Sequence, residues 1–97
     1  MNISTRTAQQ ADIDQVIKIC KPNGRNLRNL KIARPEEVTV AELNGRIAGC
    51  LQYFTDYSDD YEPVIGALIV DPTLDPIRAQ AVREKLEMLF REAQLGG

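Results

Sequence analysis

Histidine and tryptophan are absent from this 97-residue sequence, and the only cysteines, Cys20 and Cys50, stand thirty positions apart. That excludes a Cys/His zinc set, a CxxC redox motif and any Ser-His-Asp or Cys-His couple built within the chain. Each cysteine lies in an apolar periodic stretch, where a reduced thiol behaves as a small hydrophobe, so buried thiols are expected rather than a disulfide. No apolar run approaches the roughly 18 residues needed to cross a bilayer, and residues 1–6 lack the apolar core of a secretory signal. A cytoplasmic protein without membrane contact is expected. Glycine (6) and proline (5) are at ordinary levels, and 43% apolar with 27% charged residues describes a globular chain, here a single domain over residues 1–97.

The net charge of −2 conceals a division. Residues 1–34 carry seven Arg or Lys against Asp12 and Asp14, whereas the remainder carries five basic and twelve acidic residues. Between Gln15 and Pro35 stand six basic residues and no acidic one: Lys18, Lys21, Arg25, Arg28, Lys31 and Arg34. This stretch is a candidate contact surface for an acidic protein or another anion. Overall acidity, a pI near 5.1 and 5% aromatic residues disfavour nucleic acid as the partner.

Residues 3–6 read as a short first strand. Thr7-Ala8-Gln9-Gln10 has the form of a capping box, so a helix should open there, with Ile13, Val16, Ile17 and Cys20 as its apolar stripe. Pro22 and Asn23-Gly24 end it, and a shorter helix then carries Leu27 and Leu30 inward. Residues 37–43 are rich in β-branched residues and lead into Asn44-Gly45, the strongest short hairpin signal. The return strand, 46–54, places Ile47, Leu51 and Tyr53 on one face and Ala48, Cys50 and Phe54 on the other. Residues 55–63 read as a solvated acidic loop; its carboxylates lack the spacing and turn glycine of a calcium loop, so no metal is expected. Residues 64–70 form an almost wholly apolar strand that needs protein on both faces. Asp75-Pro76 is a helix start, with Val82, Leu86, Leu89, Phe90 and Ala93 as the buried stripe, a Glu87–Arg91 pair on the wet side and an end near Gln94. The terminal Gly96-Gly97 follows a helix rather than a strand, so it reads as a frayed cap rather than a modifier tail.

The order β-α-α-β-β-β-α, an α+β sandwich-type fold on a mostly antiparallel four-stranded sheet, resembles the N-terminal two-thirds of the GNAT superfamily of N-acetyltransferases. The likeness is carried by residues 3–8 with Ala11-Asp12-Ile13, by residues 40–51, and by Leu68-Ile69-Val70-Asp71-Pro72. It implies that acetyl-coenzyme A would lie beside the fourth strand, its pantetheine against Leu68, Ile69 and Val70. Its diphosphate would sit on the amides that open the final helix, near Arg78, Ala79 and Gln80.

Two departures from the family bear on function. The family's R/Q-x-x-G-x-G/A loop is replaced by residues 73–82, with no glycine between Gly66 and Gly96, a proline where a donor is wanted and Asp75 beside the phosphate position. The family also continues with a fifth strand, a helix bearing a general-acid tyrosine and two further strands, so the sequence reads as a truncated domain. No catalytic residue is assigned; Glu62 is the weak candidate for a base, and Tyr61, with Tyr53 and Tyr57, for an acid. The favoured expectation is a catalytically silent, acetyltransferase-like domain without cofactor that binds a protein as a regulator or small subunit. The partner, or a second copy, would dock on the basic stretch and on the open edge of the fourth strand around Ile65, Ala67 and Ile69. The alternative is an acetyl-coenzyme A dependent N-acetyltransferase completed by dimerisation or by a partner chain.

Overall fold

The computed structural model describes residues 2–19, 30, 34–56 and 62–96. The elements are β1 (Ile3–Thr7), α1 (Gln10–Ile19), a 3-10 turn (Pro35–Glu37), β2 (Val38–Leu43), β3 (Arg46–Asp56), β4 (Glu62–Val70) and α2 (Pro76–Gly96). The strands form one antiparallel sheet in the order β1-β2-β3-β4. On one face Ile13 and Val16 of α1 pack with Val38, Val40, Cys50, Ala67 and Ile69, joined by Leu30, which is helical and fully buried. On the other face Val82 and Leu86 of α2 pack with Ala41, Leu43, Ala48 and Leu51. No helix among the described residues is long and apolar enough to cross a membrane.

The β2–β3 hairpin turns at Asn44 (φ 54°) and Gly45 (φ 80°), the two positive values that its turn type requires. Beyond it the simple alternation of faces fails. Glu42 pairs with Ile47 and Ala41 with Gly49, so Ala48 is an extra residue in β3. Ile47 therefore joins Cys50 under α1, and Ala48 joins Leu51 under α2, which corrects the expected grouping of Ile47 with Leu51. Gly49 sits at this bulge for steric reasons. A Cβ there would lie 2.6 Å from the Ile69 carbonyl oxygen and 3.0 Å from a Val82 methyl.

Several boundaries differ from expectation because sheet pairing overrides local propensity. Thr7 pairs with Thr39, and Ala8 N–H donates to Val38 O at 2.9 Å, so α1 opens at Gln10 rather than at the Thr7 box. The capping role falls to Asp12, whose carboxylate accepts the Gln9 N–H at 2.8 Å. Thr55 and Asp56 pair with Pro63 and Glu62, so the ends of the expected acidic loop are strand. Helix α2 runs through Gly96, and no ion pair joins Glu87 to Arg91 among the described residues. Cys20, Leu27 and Gly97 lie outside the described residues.

Candidate functional site

The connection between β4 and α2 is built from its own carboxylates. Asp71 N–H donates to Ala48 O at 2.7 Å, tying the connection to the β3 bulge. The Asp71 carboxylate accepts from the Thr73 N–H at 2.9 Å and from its hydroxyl at 2.8 Å, closing a tight local turn. Four residues on, the Asp75 carboxylate accepts the Arg78 N–H at 3.2 Å and the Arg78 guanidinium at 3.1 Å. Chiefly through that backbone donor, Asp75 titrates below the ordinary carboxylate range.

These bonds decide what the N-terminus of α2 can hold. Of its first-turn amides, Pro76 has none, Arg78 is accepted by Asp75, and Ala79 donates to Asp75 O at 2.9 Å. Ile77 is left as the one first-turn residue whose N–H has no acceptor among the described residues. A diphosphate requires several such donors and an absence of negative charge. The first turn of α2 offers one such donor, at Ile77, beside the Asp75 carboxylate.

Beside this connection lies a groove of about 390 Å³ that is also lined by the β2–β3 hairpin, with Arg46, Asp71 and Arg78 among its lining residues. Arg46 was not singled out in the sequence; its place next to the Asn44-Gly45 turn, which folds back toward residues 71–75, is the signal that points to it.

The remaining candidate residues do not converge. Leu68 and Val70 are half-buried under α2, whereas Ala67 and Ile69 are buried under α1. Ile65 is 41% exposed and lies opposite Tyr53, whose ring meets Phe90 edge-on at 6.1 Å. Ala79 is half-buried, and the exposed Gln80 donates to Glu84 at 3.1 Å. Glu62 has its backbone in β4, while Tyr57 and Tyr61 lie outside the described residues. Lys18 and Arg34 are exposed; Lys21, Arg25, Arg28 and Lys31 lie outside the described residues. No group of three or more Cys, Asp or Glu among the described residues could hold a metal ion.

Two polar features were missed in the sequence. Arg6 clamps Asp12 with two bonds, 2.7 and 3.1 Å, and also donates to Glu42, so β1, α1 and β2 meet at one guanidinium. Asp12 is thereby held below its ordinary range, first by Arg6 and then by the Gln9 N–H, and the Arg6 value is raised. Gln52 is buried on β3 with its Oε1 accepting no hydrogen bond. Its position in the apolar run of β3 was the visible sign.

No family model matches the sequence, and neither does any curated protein. Solved structures do. N-acetylglutamate synthase from Neisseria gonorrhoeae, solved with coenzyme A and N-acetyl-glutamate, superposes with a TM-score of 0.66 at 22% identity, covering 96% of this chain and 23% of that one. The diaminobutyrate acetyltransferase of Paenibacillus lautus, solved with its substrate and coenzyme A, gives 0.64 at 14% identity, covering 92% and 56%. A GNAT-family acetyltransferase from Bacillus cereus gives 0.55 at 17% identity, covering 77% and 54%. The chain thus spans less than two thirds of each of these proteins. The chain has the α+β fold of the GNAT N-acetyltransferases.

Proposed function

We propose that this domain uses the acetyltransferase fold as a binding scaffold, is catalytically silent, and engages a protein rather than a coenzyme. The observation that carries the reading is the Asp75 carboxylate on the Arg78 N–H, next to a proline that has no amide to offer. An anion arriving at this helix end would meet a fixed negative charge and one available donor, which removes the usual basis of diphosphate affinity. The surface proposed for recognition is the stretch of β4 around Ile65, which is 41% exposed, together with the exposed Lys18 and Arg34.

The competing reading is an acetyl-coenzyme A dependent N-acetyltransferase completed by a second chain. Its support is that two of the structural neighbours were solved with coenzyme A. Calorimetric titration of the purified protein with acetyl-coenzyme A separates the two. The silent domain gives no binding up to about 1 mM ligand, whereas a dissociation constant in the micromolar range overturns it.

A further inference from the structure

Helix α2 carries apolar residues on both of its faces. Val82, Leu86, Leu89 and Phe90 pack on the sheet, and Ala93 is half-buried. On the opposite side, Ile77, Ala81, Glu84, Met88, Arg91 and Leu95 follow one another at steps of four, three, four, three and four residues. That alternation draws a straight seam along a helix. Within the seam Ile77 is 75%, Met88 53% and Leu95 89% exposed. Single exposed apolar side chains are ordinary, but three of them on one seam spanning about 27 Å of helix are not how a solvated helix face is composed.

The two charged members of the seam indicate what covers it. Glu84 and Arg91 are opposite in sign and lie on either side of Met88. A parallel copy would set Glu84 against Glu84 and Arg91 against Arg91. An antiparallel copy, with its two-fold axis between residues 87 and 88, sets each Glu84 level with the second copy's Arg91. The same register brings Met88 against Met88 at the axis and small Ala81 beside large Leu95. Arg91 makes no ion pair among the described residues, and Glu84 accepts only the Gln80 side chain. A depression of about 330 Å³ lined by Gln80, Glu84, Glu87, Met88 and Arg91 lies where the opposing methionine would insert.

We propose that α2 pairs antiparallel with α2 of a second copy of this chain, with Met88 on the two-fold axis and reciprocal Glu84–Arg91 ion pairs flanking it. This contact goes beyond the proposed function and does not depend on it, since it involves neither the Asp75 cap nor the stretch of β4 around Ile65. A lone helix pair sits at the lower end of stable interface size, about 1,200 Å² in total, so the dimer should be of micromolar strength.

Sedimentation equilibrium of the full chain between about 10 µM and 1 mM tests it. Glu84→Arg and Arg91→Glu should each raise the dimer dissociation constant at least about tenfold, and the double exchange should return it to within about threefold of the parent. Ile65→Lys, at the other surface, should leave it unchanged. All three positions changed are exposed, and far-UV circular dichroism verifies that each of the four variants is folded. A strict monomer at 1 mM, a dimer indifferent to the single exchanges, or a double exchange that fails to restore association would each overturn the proposal.

Discussion

The Asp75 carboxylate holds Arg78 at both ends of that residue, through its backbone N–H at 3.2 Å and its guanidinium at 3.1 Å. One side chain thus caps α2 and also occupies the place that an incoming anion would take. Replacing Asp75 by Ala should lower the melting temperature by a few degrees, because the Arg78 N–H loses its acceptor. It should not by itself create affinity for acetyl-coenzyme A, since Pro76 still offers no donor. The double change Asp75→Gly/Pro76→Gly should gain affinity measurable by calorimetry. Equal binding by the parent and the double variant would contradict this account.

Asp12 links acid stability to the Arg6 clamp. The unfolded chain protonates this carboxyl near its ordinary value of 3.8, whereas the folded one, held by Arg6 and the Gln9 N–H, does so only at lower pH. Its contribution to stability is therefore complete above about pH 4 and disappears as pH falls through the lower, folded value. Urea midpoints measured from pH 6 to pH 2 should fall less steeply for Asp12→Asn than for the parent. Parallel curves would show that the clamp carries no linkage.

Two glycines should respond to alanine for different reasons. At Gly49 the added Cβ meets the Ile69 carbonyl oxygen at 2.6 Å, so backbone must move, and a loss of about 1–3 kcal/mol is expected. At Gly45 nothing lies within 4 Å, and the loss, about 1 kcal/mol, comes from its φ of 80° alone. Denaturant unfolding should rank Gly49→Ala below Gly45→Ala; the reverse order would contradict the close packing of α2 on β3.

Gln52 should be improvable. Its Oε1 is buried without a donor, a cost that an apolar side chain of similar length avoids. Gln52→Met should raise stability by about 1 kcal/mol in the same assay. A destabilised variant would show that the carboxamide is held by an interaction worth more than its desolvation.

What could be read from the residues was whatever depends on neighbours in sequence. Asn44-Gly45 dictates its turn through backbone φ, Asp75-Pro76 dictates a helix start, and the 3.6-residue spacing from Val82 to Phe90 dictates a buried stripe. The failures lie where distant strands decide. Thr7 became strand because Thr39 pairs with it, and Ile47 changed face because Ala48 bulges out of register with Glu42. The candidate site was legible in part. Asp75 and Pro76 announced a helix start capped by its own carboxylate, but the joining of Arg6, Asp12 and Glu42 required three elements to meet, which no local pattern contains.

Strand order from β2 to β4 follows chain order, with each strand hydrogen-bonded to the one that precedes it. β1 likewise lies beside the strand that follows it in the chain, β2, but residues 8–37 intervene between the two. Closing that long excursion costs more entropy than closing the two-residue hairpin, so the β1–β2 pairing carries the larger loop cost. On the meander, Leu43 and Leu51 are covered by Val82 and Leu86, so this face of the sheet owes its dry core to the last element of the chain, α2.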